Sequence, residues 1–129
     1  MYRYVFDTVA LVRILDGNAT PRVKEVYDKA EKGKAEIIVP TMVLAEIIWI
    51  LRKRRNYDLI HEIIADLKRQ QNTLIVPFSS DIVEEMAKLK RTHELHDEII
   101  ALMAFVYGVN KVCTKDDDLV KIKNLVKIW

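Results

Sequence analysis

The sequence predicts an α/β fold in three layers, a mostly parallel central sheet with helices on both faces. Three observations lead there. Short, continuously apolar segments alternate with longer stretches of helical periodicity. The apolar segments lack the polar alternation of a half-solvated sheet, which implies burial on both sides. A chain of 129 residues with only three glycines and three prolines also has little material for long connections. No repeat, low-complexity tract or linker interrupts it, so a single domain over residues 1–129 is expected.

The elements follow in order. Tyr4-Val5-Phe6 reads as the first strand, and Asp7 can cap a helix beginning at Thr8. Thr20-Pro21 opens a helix from Pro21 to Lys32, with threonine as cap and proline at the first helical position. Its stripe is Val23, Val26, Tyr27 and Ala30. Glu36-Ile37-Ile38-Val39 is the second strand. Helices from Thr41 to Arg55 and from Tyr57 to Gln70 come next, broken near Asn56. Thr73-Leu74-Ile75-Val76 is the third strand. Ser80-Asp81 with Glu84 suggests a capping box, opening a helix in which Val83, Met86, Ala87 and Lys90 share a face. A helix from Leu95 to Tyr107 ends at Gly108, a suitable C′ residue. Lys111-Val112-Cys113 and Leu125-Val126-Lys127-Ile128 complete the strands, and right-handed crossovers would connect them.

Several function classes fall away at once. Half of the residues are hydrophobic, too many for a disordered chain. No apolar run approaches the roughly 18 residues of a membrane span, and no secretory segment follows Met1. One cysteine cannot form an internal disulfide, so a reducing cytoplasm is expected, with Cys113 as a small buried hydrophobe. Gly17, Gly33 and Gly108 build no phosphate-cradling loop, which disfavours phosphoryl transfer from ATP. His61-Glu62 begins like a zinc-protease motif but lacks the second histidine. His93 and His96 have no third nitrogen or sulfur ligand nearby and read as surface or helix-entry residues.

The informative residues are acids standing where the pattern asks for apolar groups. Asp7 interrupts the run from Tyr4 to Val12, and Glu46 is the one polar group between Met42 and Leu51. Asp97 opens a helix whose next turns are Ile99 to Phe105, and Asp116, Asp117 and Asp118 follow the strand ending at Cys113. A buried carboxylate costs several kcal/mol unless it is paired or meets a cation. Each acid also has a bland role: Asp7 as a helix cap, Glu46 on a solvated stripe, Asp97 as a first-turn acid, the aspartate run as a turn. The predicted topology nevertheless gathers them near the carboxyl ends of the strands, where open parallel sheets bind ligands. Converging carboxylates call for a hard divalent cation, Mg²⁺ or Mn²⁺.

Tyr4-Val5-Phe6-Asp7-Thr8, Ile38 to Glu46, Leu95 to Ala104 and Cys113-Thr114-Lys115-Asp116 together resemble the PIN-domain nucleases over essentially the whole chain. That resemblance implies that Asp7, Glu46, Asp97 and Asp116 are an acidic quartet binding Mg²⁺ or Mn²⁺. Thr8 and Thr114 match supporting hydroxyl positions, and Asp118 matches a secondary acidic one. Asp97-Glu98 departs from the family's usual aspartate and small residue, leaving Glu98 either to assist the metal or to face solvent. The size is similar to the VapC-type ribonuclease toxins of toxin–antitoxin modules, which implies RNA hydrolysis and an antitoxin partner. The expected chemistry is metal-assisted phosphodiester hydrolysis, with Asp7 and Asp97 as direct ligands and Glu46 and Asp116 acting directly or through water. The competing reading is a non-catalytic PIN-like RNA-binding or scaffold subunit of an RNA-processing assembly.

Two further features concern partners. Arg52-Lys53-Arg54-Arg55 is the one concentrated basic run, fit for RNA phosphates, for an acidic antitoxin segment, or simply for a solvated helix end. Trp49, Ile50, Leu59, Ile60, Ile63, Ile64 and Leu67 supply core packing, or else a groove for a partner helix or a homodimer face. With four acids assigned to a metal, 21 basic residues face 15 other acids, so the modest net charge of +2 conceals a basic exterior.

Overall fold

The computed structural model describes residues 1–69 and 72–129. Strand β1 (Tyr2–Phe6) leads into α1 (Thr8–Asp16) and α2 (Pro21–Glu31). β2 (Ala35–Pro40) leads into α3 (Thr41–Lys53) and α4 (Tyr57–Arg69), and β3 (Thr73–Val76) into α5 (Ser80–Ala87) and α6 (Leu95–Val106). β4 (Lys111–Cys113), the short α7 (Asp117–Lys121) and β5 (Val126–Ile128) complete the chain. The expected end of the fourth helix at Gln70 lies outside the described residues.

All pairings are parallel, in the order β3-β2-β1-β4-β5. β1 therefore sits at the centre, with Val5 beside both Ile38 and Val112. The strand order reverses between β1 and β4, since β2 and β3 extend to one side and β4 and β5 to the other. The helices pack in two sets, α1 to α4 and α5 to α7. Right-handed crossovers put these sets on opposite faces, giving the three layers. Val5, Phe6, Ile38 and Val39 are wholly buried between them. In α6, Ala101 to Ala104 are all buried, because α5 and α7 flank the helix and the sheet lies beneath it.

Local signals explain most boundaries. Thr20 caps α2 by accepting from the Val23 N–H, with Pro21 at the first position as anticipated. α3 buries Val43, Ile47 and Leu51 on one stripe and closes at Arg55, whose φ of 55° takes the left-handed turn usually left to glycine. Gly108 ends α6 with a φ of 69°. The apolar face of α4 serves the core: Ile63 is buried, and Leu59 and Ile60 pack against it.

Two expectations fail. Ser79, not Ser80, precedes α5, no side-chain bond caps the helix, and Glu84 stays exposed. The inward face carries Ile82, Met86 and Leu89 instead of Val83, which is 52% exposed. Burying Ile82 at the position a capping glutamate would need decides the helix's rotation. β3 is also less covered than its apolar run implied, with Leu74 and Ile75 exposed, because it is an edge strand. From this rotation, Ile82→Ala costs about 2–4 kcal/mol in urea unfolding, whereas Val83→Ala stays within about 0.5 kcal/mol. The opposite ranking would contradict the helix orientation.

Candidate active site

The site is built where β1 and β4 end side by side. Phe6 pairs with Cys113, and the next N–H, that of Asp7, donates to the Cys113 carbonyl at 3.2 Å. Asp7 then turns the chain into α1 and caps it, its Oδ1 accepting from the Ala10 N–H at 2.9 Å. The capping role and a place at the site are thus the same geometry. Thr114 follows β4, fully buried; its Oγ1 accepts from the Asp116 N–H at 3.0 Å, and its hydroxyl stands near enough to the Asp7 carboxylate to favour its charged form. Asp116 caps α7 through the N–H groups of Asp118 and Leu119, at 2.9 and 3.3 Å.

Two acids arrive on helices. Glu46 stands in the second turn of α3, which starts directly after β2 beside β1. Asp97 stands in the first turn of α6, whose cap is Glu94: its Oε2 accepts from the Asp97 N–H at 2.9 Å. The Asp97 side chain is therefore not needed for capping. Asp7, Glu46, Asp97 and Asp116, with Thr8, line one cavity of about 190 Å³. A smaller cavity of about 60 Å³ beneath α1, α3 and α4 is mainly apolar and brings together no such acids.

The charges are frustrated. Asp97 is pushed up to about 7 by loss of solvent first, then by its hydrogen bond with Asp116 and the charges of Asp116, Glu94 and Asp7. Burial also raises Asp7, against the bonds from Thr114 and Ala10, and the charges of Asp116 and Glu46 add to the rise. The Thr8 hydroxyl is buried without a partner beside these acids. Oxygen donors with excess negative charge and an orphaned hydroxyl fit a hard divalent cation. Among the described residues no three ligating groups are close enough to chelate an ion on their own.

Other sequence candidates lie elsewhere. Asp118 is exposed and contributes only its N–H to Asp116, and Asp117 pairs with Lys127. Glu98 neither assists the acids nor faces solvent: it is buried, accepting from the His93 N–H at 2.7 Å and meeting its Nδ1 at 3.2 Å. The basic run sits at the other end of the helix layer. α1 and α3 both start at the acidic rim and pack together, and α1 carries the chain roughly 13 Å from Asp7 to Asp16. There Arg54 pairs with Asp16 at 3.0 Å, while Lys53 lies 4.4 Å over the Trp49 ring. Arg52 and Arg55 are exposed beside them.

Three residues escaped the sequence reading. Glu94 holds the Asp97 turn, and His96 and Lys115 line the cavity. The available signal was the Glu94-to-Asp97 spacing of a cap and third helical residue, together with His96 directly before an out-of-place acid.

The family model of the PIN domain matches residues 4–125. No curated protein matches the chain in sequence. Among solved structures, VapBC2 from Rickettsia felis, bound to a promoter DNA fragment, aligns with a TM-score of 0.74 at 17% identity, over 97% of this chain and 96% of that one. FitAcB from Neisseria gonorrhoeae gives 0.68 at 15%, over 96% and 95%. VapC20 of Mycobacterium tuberculosis, a sarcin–ricin-loop-cleaving toxin, gives 0.67 at 14%, over 93% and 95%. At these identities the likeness is one of fold. The family match, spanning almost the whole sequence and every acid of the cavity, is the stronger tie: the chain belongs to the PIN domain family.

Proposed function

We propose that this PIN-domain nuclease is a metal-dependent endoribonuclease, acting as one domain over residues 1–129, and the toxin of a toxin–antitoxin pair. The observation that carries the chemistry is the meeting of Asp7, Glu46, Asp97 and Asp116 at one cavity beside the unpartnered Thr8 hydroxyl. The toxin assignment draws on neighbours of the same fold that are toxin–antitoxin complexes, and RNA as substrate on one that cleaves the sarcin–ricin loop. An antitoxin partner and a homodimer would account for exposed apolar side chains such as Trp49, Tyr57, Val83 and Leu95. No helix among the described residues is long and apolar enough to cross a membrane, and the proposed workplace is the cytoplasm.

Asp7 and Asp97 would hold Mg²⁺ or Mn²⁺ directly, with Glu46 and Asp116 as direct or water-bridged ligands and Thr8 at the rim. Such a cation supplies a bound water of lowered pKa and neutralises charge on the scissile phosphate. The protein's own contribution is positional. Asp7 is fixed by its bonds to Cys113 and Ala10, Asp116 by its cap, and Asp97 by the Glu94 bond to its backbone. Thr114 holds the Asp116 backbone through its hydroxyl while standing beside Asp7, which makes it a positioning residue. Asp118 stands two residues beyond Asp116, exposed in the first turn of α7. Arg52, Lys53, Arg54 and Arg55 would reach RNA only as a distal contact.

Three outcomes test this reading. Wild-type protein cuts RNA with Mg²⁺ or Mn²⁺ and stops with chelator, while Asp97→Asn loses about a hundredfold or more; metal-independent cleavage or a fully active variant would refute the mechanism. Replacing Arg52 and Arg55 by glutamine weakens RNA binding modestly and makes its salt dependence shallower; unchanged binding removes them from the interface. Stability supplies the third. Without metal, the folded protein holds an Asp97 proton up to about 7 that the unfolded chain releases near 3.8, so this group makes stability fall as pH rises between those values. At about pH 8 without metal, Asp97→Asn should therefore melt above wild type, and at about pH 4 the gap should close. An equal difference at both would show that Asp97 carries no such charge penalty.

A further inference from the structure

We infer that His96 contacts the substrate and reads the ribose 2′-hydroxyl beside the scissile phosphate, held in position by Glu94. This rests on the ribonuclease reading above. His96 lines the same cavity as the four carboxylates. Its Nδ1 lies 2.8 Å from Glu94 Oε1, while the other oxygen of Glu94 accepts from the Asp97 N–H at 2.9 Å. One carboxylate thus ties the imidazole to the very turn that carries Asp97. The Glu94 bond engages Nδ1, so Nε2 is the ring's remaining polar atom.

Packing does not explain this arrangement. The His96 side chain is 52% exposed, and the helix cap is already supplied by Glu94. The ring instead stands within the field of Glu46 and Asp97. In a bound strand, the oxygens of the scissile phosphate would face the carboxylate-held cations. The next polar group is the 2′-hydroxyl of the ribose whose 3′-oxygen carries that phosphate. A hydroxyl both donates and accepts, so it can bond Nε2 whether the ring is neutral or protonated. It is also the group by which a protein distinguishes RNA from DNA at one site. Lys115, on the same cavity, is a flexible point charge better suited to a phosphate.

The test uses a short labelled RNA that the wild-type protein cuts, and the same strand with a single 2′-deoxy nucleotide on the 5′ side of the cut. We would measure kcat/KM for both with Mg²⁺, and binding by fluorescence anisotropy with Ca²⁺ replacing Mg²⁺. Wild type should prefer the all-ribose strand about tenfold in both assays, the worth of one hydrogen bond. His96→Ala should lose about tenfold on RNA and show no remaining preference. Glutamine reaches the Nε2 position and asparagine only that of Nδ1. His96→Gln should therefore restore part of the preference, and His96→Asn should not. Full preference in His96→Ala, or rescue by asparagine equal to that by glutamine, would overturn the inference and leave His96 a role through Glu94 alone. A wild-type protein that cuts no RNA would overturn the ribonuclease reading itself, and this inference with it.

Discussion

The hydrogen bond from the Asp7 N–H to the Cys113 carbonyl extends the β1–β4 ladder one step beyond the strands, and the site depends on it. It lies at the place where the strand order reverses, so the two chain segments leaving β1 and β4 diverge to opposite faces and leave a crevice between them. Asp7 and Thr114 become neighbours there, and Thr114 passes the connection on to Asp116. α3 starts from the same rim directly after β2, and α6 starts there before leading into β4. Glu46 and Asp97 are thereby delivered from opposite faces of the sheet.

Gathering four acids has a folding cost, visible in the rise of Asp97 to about 7 and in the raised Asp7. The fold offsets part of it locally. α1, α6 and α7 direct their N-termini at the cavity, and Asp7 and Asp116 each accept backbone N–H groups from the helix they cap. The rest falls on the core, where β1, β2 and α6 bury continuous apolar surface. The most buried part of the molecule thus lies directly under its least favourable electrostatics. This is the trade a functional site makes with stability.

The acids around α6 divide their work by position. Glu94 caps the helix and holds His96, and Asp97 faces the cavity. Glu98, one residue further, rotates away from the cavity to hold the loop at His93. Neighbouring acids therefore have unrelated roles, because each step along a helix turns the side chain by about 100°. The basic run shows the same effect at longer range, since helices that begin at the rim must end far from it.

Strands and helices could be read from the chain because apolar runs, caps and terminators are local: Thr20-Pro21 and Gly108 act on their own neighbours. The out-of-place acids Asp7 and Glu46 were legible for the same reason, each contradicting the apolar pattern around it. The rotation of α5, the exposure of β3 and the fate of Glu98 were not, because packing against distant segments decides them. The sequence alone determined the fold class and named the four acids. Only the tertiary structure decided that they share one cavity with Thr8 and His96, and that Arg52 to Arg55 stand apart from it. Periodicity and misplaced charge are properties of a segment, whereas proximity depends on which strands pair.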